Sequence, residues 1–103
     1  MNYIEELRDV IRNLHGAEAT HVETVPVKEI HDGQTIWEGE VEVFDIDHPK
    51  TSRVFAWAHD TDDPERPRRH VTVLQIPPAT TPRKAVQLSI MSDFREAEAN
   101  AES

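Results

Sequence analysis

The clearest pattern along the chain is an alternation of apolar and polar positions within residues 22–45. From Trp37 to Val43 the two kinds of residue take turns, which is typical of a strand with one buried face and one wet face. Asp32-Gly33 separates this run from an earlier β-run, and Asp-Gly favours a hairpin because glycine takes positive φ without a Cβ clash. The pattern predicts a β-hairpin around which the rest of the domain is built.

The side-chain pattern also selects a register for this hairpin. A two-residue loop would set valines opposite glutamates and mix apolar and charged groups on both faces. A three-residue loop, with Gly33 as a left-handed bulge, sets residue 30 opposite residue 34 and separates the two kinds. We therefore predict the three-residue loop, an apolar face beneath the helices and a charged face in water. The apolar face holds Val25, Val27, Trp37, Val41 and Val43, and the charged face holds Lys28, Glu38, Glu40 and Glu42.

Helical periodicity marks the start of the chain. Residues 2–14 carry one apolar stripe, formed by Ile4, Leu7, Val10, Ile11 and Leu14. Asn2 and Glu5 fit a capping box, and Gly16 fits a left-handed C-cap. The pattern predicts an N-terminal helix that covers the core.

A second helix is predicted near the end of the chain. Thr81 fits the N-cap, and Pro82 suits the first helical position because its missing N–H bonds nothing there. Its stripe consists of Val86, Ile90, Phe94 and Ala97, with Met91 beside it. The small, acidic residues 96–103 predict a flexible tail, so we assign residues 1–95 to a single domain.

Two further strands complete the predicted fold. Residues 53–59 and 70–76 read as strands three and four, joined by a charged, proline-containing loop. Short connections favour antiparallel neighbours, and Pro26 places the first strand at an edge because it cannot donate to a ladder. We predict the α+β class with order α-β-β-β-β-α, a four-stranded antiparallel meander with both helices on one face. That arrangement leaves two edges and one uncovered face for a partner.

Composition limits the class of protein. The 103 residues are 37% hydrophobic and 30% charged, which suits one soluble domain with one core. No apolar run is long enough to span a membrane, and the first residues lack the basic and apolar parts of a signal peptide. Cysteine is absent, which excludes disulfides and thiolate metal sites. We predict a cytoplasmic protein.

The charge distribution narrows the choice of partner. The net charge is −9, with 16 acidic and 5 basic groups in residues 1–65 against 4 and 6 in residues 66–103. An acidic body repels nucleic acid and anionic lipid. We therefore predict neither nucleic acid nor membrane as a partner, and expect a protein partner or self-association.

Two loops contain the densest groups of metal-ligand types, although the six histidines are scattered. One loop carries Asp45, Asp47 and His48, and the next carries His59, Asp60, Asp62 and Asp63. Acidic loops are usually solvated, and the second departs from a calcium loop because Glu65 stands where glycine is required. We predict no metal and no cofactor. The alternative is a metal site in one of these two loops.

The chain carries no recognisable catalytic motif. There is no nucleophile elbow and no glycine-rich phosphate loop. The three glutamates of the predicted wet face lack the burial or charged partner that shifts a carboxyl pKa. We predict no catalytic residue.

The aromatic residues of strand three allow two placements. If Phe55 and Trp57 share the face of Trp37, they belong to the core. If their alanine neighbours lie under the helices instead, both crowd the open face beside glutamates, as at a dimer or ligand interface. The candidate binding residues are Phe44, Phe55, Trp57, His59, Glu40 and Glu42.

Two resemblances accompany these patterns. Residues 33–44, with His48-Pro49-Lys50 and Ala56-Trp57-Ala58, resemble a family of small uncharacterised bacterial proteins over roughly residues 19–78, and that resemblance implies no activity. The order of elements also loosely resembles double-stranded-RNA-binding domains, which have three strands and a lysine cluster opening the last helix. Only Arg83-Lys84 stands there, and the acidic body opposes RNA binding.

The sequence thus predicts a small cytoplasmic domain without catalytic machinery that acts through protein–protein contact, including a homodimer. The alternative is a small-molecule-binding protein or enzyme with a pocket between sheet and helices. That pocket would be lined by tryptophan and histidine side chains.

Overall fold

The computed structural model describes residues 2–60, 64–65 and 67–102, with side chains described up to Ser92. Six elements follow one another along the chain. They are α1 (Tyr3–His15), β1 (Ala19–His31), β2 (Gln34–His48), β3 (Thr51–Asp60), β4 (Arg68–Leu74) and α2 (Pro82–Glu102). The four strands form one antiparallel sheet in the order β1-β2-β3-β4. This confirms the predicted α+β class and its α-β-β-β-β-α order, with β1 at an edge.

The two helices lie on opposite faces of the sheet, so the prediction that both share one face is wrong. Beneath α1, Leu7 and Ile11 pack with Val54. Beneath α2, Val86 packs with Phe55. Successive side chains of a strand point to opposite faces, so neighbours in β3 belong to different cores.

Coverage of both faces explains the composition of the inner strands. A strand buried on both sides reads as a continuous apolar run rather than an alternation. Val54 to Trp57 is such a run, and all four residues are buried. The first placement considered for the aromatic residues is therefore correct, because Phe55 and Trp57 share the core face of Trp37. The second is wrong about an open face, although Ala56 does lie under a helix on the other side of the sheet.

The β1–β2 hairpin has the predicted apolar face but a different register. Val25, Val41 and Val43 share the face beneath α2 with Trp37, as predicted. The loop, however, has two residues, Asp32 and Gly33, both with positive φ, and it sets His31 opposite Gln34. A register shift next to Ile30 then sets Glu29 opposite Trp37. The bulge lies within the strand, next to Ile30, rather than at Gly33. It separates the apolar face from the charged face as well as the predicted three-residue loop would.

The hairpin extends beyond the rest of the sheet. Pairing of β2 with β3 runs from the His48–Thr51 end to Glu42 and Ala56, whereas pairing of β2 with β1 continues to the turn. We call the hairpin beyond this point the arm, and the opening between β2 and β3 the sheet fork. At the fork Ala58 donates its backbone N–H to the Tyr3 hydroxyl at 2.8 Å, so a side chain of α1 replaces the missing strand.

One glycine lets the arm pack against the second core. The Trp37 ring lies over Gly39, where an added Cβ would come within 3.1 Å of the indole Cη2. This position brings Trp37 against Trp57 in an edge-on contact with ring centroids 5.9 Å apart. Two strands that no longer pair are thus joined on the α2 side by their indoles.

The helix termini follow their sequence signals. The Asn2 side chain accepts the Glu5 N–H at 2.9 Å, Gly16 ends α1 at φ 67°, and Thr81 accepts the Lys84 N–H. Leu14 is the exception in the predicted stripe, since it is 63% exposed.

The second helix runs further than the sequence suggests. It begins at Pro82, after a cis Pro77–Pro78 peptide bond, and continues to Glu102, through most of the segment predicted as a tail. The flexibility of residues 96–103 stays a prediction. In the described part of the chain, no helix is long and apolar enough to cross a membrane.

Candidate functional site

The three candidate aromatic residues lie inside the protein. Phe55 and Trp57 are buried beneath α2, and Phe44 is buried beneath α1 on the other face. They do not form one exposed patch, because each face of the sheet is covered by its own helix. The aromatic surface considered for an open face is absent from the described structure.

The other candidates are dispersed. Glu40 is exposed on the arm. His59 is half-buried near the end of β3, with its Nδ1 3.3 Å from the Asp60 carbonyl oxygen. Glu42 is only 2% exposed, so the prediction that it looks into water is wrong. It lies on the same face of the hairpin as Glu40, but α1 covers that face only at the Glu42 end.

Glu42 is the centre of a buried polar cluster. Its Oε1 lies 3.0 Å from the His21 Nε2 and also accepts a hydrogen bond from the Thr24 hydroxyl. Both partners come from β1, where Thr24 is paired directly with Glu42. Burial raises the pKa of the nearby Tyr3 phenol, and the Glu42 charge adds to that rise. Neighbours on one strand therefore compensate the buried carboxylate.

The sequence contained part of the signal for this cluster. Once β1 and β2 are paired, alternation puts Thr24 and Glu42 on one face. What pattern reasoning missed was the second helix layer, which turns that face from wet to buried. His21 keeps 31% of its side chain exposed and Thr24 is exposed as well, so solvent reaches the two partners on β1 while Glu42 itself is buried.

A second buried carboxylate fastens α2 to the arm. Glu29 on β1 is 6% exposed and accepts from the Arg83 Nε at 2.8 Å and the Gln87 side-chain amide at 3.2 Å. The hydrogen bond from Arg83, opposed by burial, lowers the pKa of the Glu29 carboxyl. The contact is structural, because Arg83 and Gln87 both belong to α2, the helix that Glu29 holds against the arm.

The outer side of β4 is an open sheet edge. The Gln75 N–H donates to the Arg53 carbonyl oxygen on β3, so the backbone groups of Gln75 point toward β3. Backbone directions alternate along an antiparallel strand, and those of Thr72 and His70 therefore point away from β3. The Ala58 N–H agrees with this, because it bonds to Tyr3 and not to its partner His70 on β4. Among the described strands, none lies beyond β4 in the sheet. We call this side of β4 the β4 edge.

Side chains from α1 hold the β4 edge in place. Glu6 binds the His70 Nε2 at 3.0 Å and an Arg68 guanidinium nitrogen at 3.2 Å. Further along, the His15 Nε2 lies 2.8 Å from the Thr72 hydroxyl. Burial, with a smaller contribution from the His48 charge, lowers the pKa of His15. These contacts fix the edge strand through its side chains, and none of them uses the backbone groups of His70 or Thr72.

The outer edge of β1 is less suited to pairing. Pro26 in its middle has no N–H, and Val22 is an extra residue at a register shift between His21 and Glu23. Prolines and bulges on edge strands oppose the addition of another strand. β4 spans Arg68–Leu74 and contains neither a proline nor a register shift.

Shallow depressions are present but do not match the predicted pocket. One of about 240 Å³ lies between α1 and Glu18, one of about 310 Å³ lies on the arm, and one of about 210 Å³ lies beside α2. None of these three is lined by tryptophan or histidine. The small-molecule alternative stays a prediction.

The two acidic loops are likewise not assembled as metal sites in what the structure describes. Asp62 and Asp63 lie outside the described residues, and among the rest no three His, Cys, Asp or Glu side chains are placed to share an ion. His48 is 6.3 Å from the His15 ring, but its Nδ1 accepts the Lys50 N–H. In the neutral ring this leaves the proton on Nε2, where a metal would need a lone pair.

Comparisons with known proteins add no family to this picture. No family model matches the chain, and neither a curated protein nor a solved structure matches it. The resemblance to small uncharacterised bacterial proteins stays a prediction.

Proposed function

We propose that this chain is a cytoplasmic, non-catalytic protein-contact domain and that its principal contact is a homodimer formed through the β4 edge. The observation that carries the proposal is the open, regular edge of β4. Strand addition to such an edge gives affinity through main-chain hydrogen bonds. Two copies of one edge meet across a two-fold axis, the commonest symmetry of soluble oligomers.

Charge favours the edge of β4 over the edge of β1. A chain of net charge −9 repels its own copies. Residues 66–103, which include β4, hold 6 basic against 4 acidic groups, so a contact there brings together the least acidic parts of two copies. The edge of β1, by contrast, belongs to the acidic half.

The directions of the backbone groups define the pairing. The outward-pointing residues His70 and Thr72 alternate with Val71, which bonds inward to β3. An antiparallel pair centred on Val71 sets His70 of one copy against Thr72 of the other, so the two sheets become one continuous sheet of eight strands. Val71 and Val73 are half-buried in the single chain, and a second copy beside them would remove further apolar surface from water.

Sedimentation equilibrium and light scattering test the dimer. We expect a mass twice the 11.8 kDa of the chain at tens of micromolar. Thr72→Pro removes the outward N–H and should give a monomer, while Thr72→Ala loses the same hydroxyl contact with His15, keeps the N–H and should remain a dimer. A wild-type protein that stays monomeric at these concentrations would refute the proposal.

Hydrogen exchange provides a readout that does not depend on a folded proline variant. In the dimer the amides of His70 and Thr72 are protected, and they should exchange faster as the protein is diluted. The amides of Val71 and Val73 bond to β3 in either state, so their exchange should not change with concentration. If the amides of both sets showed the same dependence of exchange rate on protein concentration, the proposed pairing of β4 with a second copy would be contradicted.

A further inference from the structure

The sheet fork is a second open edge, separate from β4 and from the proposed dimer. Glu42 is the last β2 residue paired with β3, and the register with β1 continues unbroken through Gly39 and Glu38. Alternation along β2 then directs the backbone groups of Glu38 and Glu40 toward the fork. The position of Pro26 agrees with this assignment. Pro26 is paired with Glu40, and if the Glu40 backbone groups point to the fork, this pair exchanges no hydrogen bonds, so the N–H that proline lacks is not needed there.

The opposite side of the fork is already closed. The Tyr3 hydroxyl accepts the Ala58 N–H, so β3 does not offer that donor to an incoming strand. On the α2 side, the contact between Trp37 and Trp57 spans the fork. An extended segment therefore finds one open backbone edge, on β2, with an indole pair on one of its faces.

The other face of the arm is acidic where it borders the fork. Glu38 and Glu40 are both exposed, and they border a depression of about 310 Å³ whose other lining residues are Pro26, Val27, Lys28 and Gly39. Lys28 is paired with Glu38 on the β1 side, away from the fork. Glu40 faces Pro26 and has no cation opposite it on β1.

We propose that the sheet fork binds an extended peptide with basic residues at alternate positions, which pairs as an added strand with β2. Side chains of such a peptide alternate between two faces. Its basic side chains meet Glu38 and Glu40, and its apolar ones meet the half-buried Trp37. The proposal depends on this amphipathic match between backbone edge, carboxylates and indole.

Fluorescence anisotropy with a labelled eight-residue peptide of alternating lysine and valine tests the proposal. We expect saturable binding, with a parallel change in the protein's tryptophan fluorescence. Methylation of the backbone nitrogens of a central lysine and its neighbouring valine keeps every side chain and charge but removes an N–H directed at β2 whichever way the peptide runs, and should weaken binding about tenfold. The matching peptide of alternating glutamate and valine should not bind. Equal binding of the methylated peptide would reduce the interaction to charge alone and overturn the proposal.

Protein variants locate the site. Glu40→Gln should weaken binding about threefold, and the double variant with Glu38→Gln about fivefold, as expected for exposed ion pairs. Glu38→Gln alone should have the smaller effect because Lys28 is the cross-strand partner of Glu38 and places a positive charge beside the incoming basic side chain. Glu18→Gln, an exposed glutamate beside α1, is the matched control and should leave the affinity unchanged. An equal loss with Glu18→Gln, or no binding by the wild type, would refute the site.

Peptide binding at the fork can be tested separately from dimer formation at the β4 edge. Thr72→Pro alters the β4 edge and should leave peptide binding unchanged, while Glu40→Gln should leave the oligomeric state unchanged. If either variant abolished both properties, the two edges would not be independent, and the assignment of the peptide to the fork would be wrong.

Discussion

Placement of the helices on opposite faces makes a quantitative prediction about stability. Ile11 on α1 and Val86 on α2 are both fully buried, but they belong to different cores. Ile11→Val should lower the free energy of unfolding by about 1 kcal/mol. Val86→Ala removes two methyl-sized groups at roughly 0.8 kcal/mol each, and the cavity left behind raises the loss to about 2 kcal/mol.

The informative quantity is the coupling between these two substitutions. Residues without shared partners add to within about 0.3–0.5 kcal/mol, so the double variant should lose about 3 kcal/mol. That loss is tolerable for a domain with a typical stability of about 5–15 kcal/mol. Urea unfolding of the wild type, both single variants and the double variant gives the coupling energy directly.

A second pair from one core is the control for that cycle. Ile11 and Val54 belong to the same cluster beneath α1, so Ile11→Val combined with Val54→Ala should depart from additivity by about 0.5 kcal/mol or more. Coupling above about 1 kcal/mol between Ile11→Val and Val86→Ala would refute the two-layer arrangement, because it would mean that the helices share one core.

Three further perturbations test individual contacts. Glu42→Ala should lower the free energy of unfolding by about 1.5–3 kcal/mol in urea titrations, because His21 and Thr24 lose hydrogen bonds to a charged acceptor, and a loss below about 1 kcal/mol would contradict the role given to these contacts. Because the pKa of Glu29 is lower in the folded protein than its ordinary 4.5, the unfolded chain binds more protons as pH falls below that value, so stability should decrease there. Arg83→Gln should make that decrease shallower, and an unchanged slope would exclude the pair as its cause. Gly39→Ala should displace the Trp37 ring, lower stability by about 1–3 kcal/mol and shift the tryptophan emission, whereas an unchanged emission would show that the ring does not rest on the glycine.

Local signals in the sequence were sufficient for the elements and their order. Asn2, Gly16 and Pro82 marked helix ends through chemistry confined to a few residues. The Asp32-Gly33 turn and the alternation around Val41 placed the hairpin and its apolar face. Such signals involve neighbours in the chain, which a sequence displays directly.

The layer arrangement could not be obtained in the same way. The alternation of large and small residues in Phe55-Ala56-Trp57 left two placements open, with one kind of side chain under the helices in each. The structure buries both kinds, because each face of the sheet has its own helix. Which face a helix covers depends on the path of the connecting loops, and periodicity does not encode that path. For the same reason Glu42 was expected in water, since its cover comes from a distant part of the chain.

The arm has a dynamic consequence of its own. Beyond Glu42 the arm is attached to the rest of the protein by the packing of Val27 and Val41 with Val86 of α2. The contact of Trp37 with Trp57 and the hydrogen bonds from α2 to Glu29 add to this attachment, but no third strand shares the backbone hydrogen bonds of the arm. Local opening tends to follow contiguous cooperative units. The arm and the first turns of α2 should therefore open together, at a lower free energy than β3, so that loosening the helix would also free the strand edge that borders the fork.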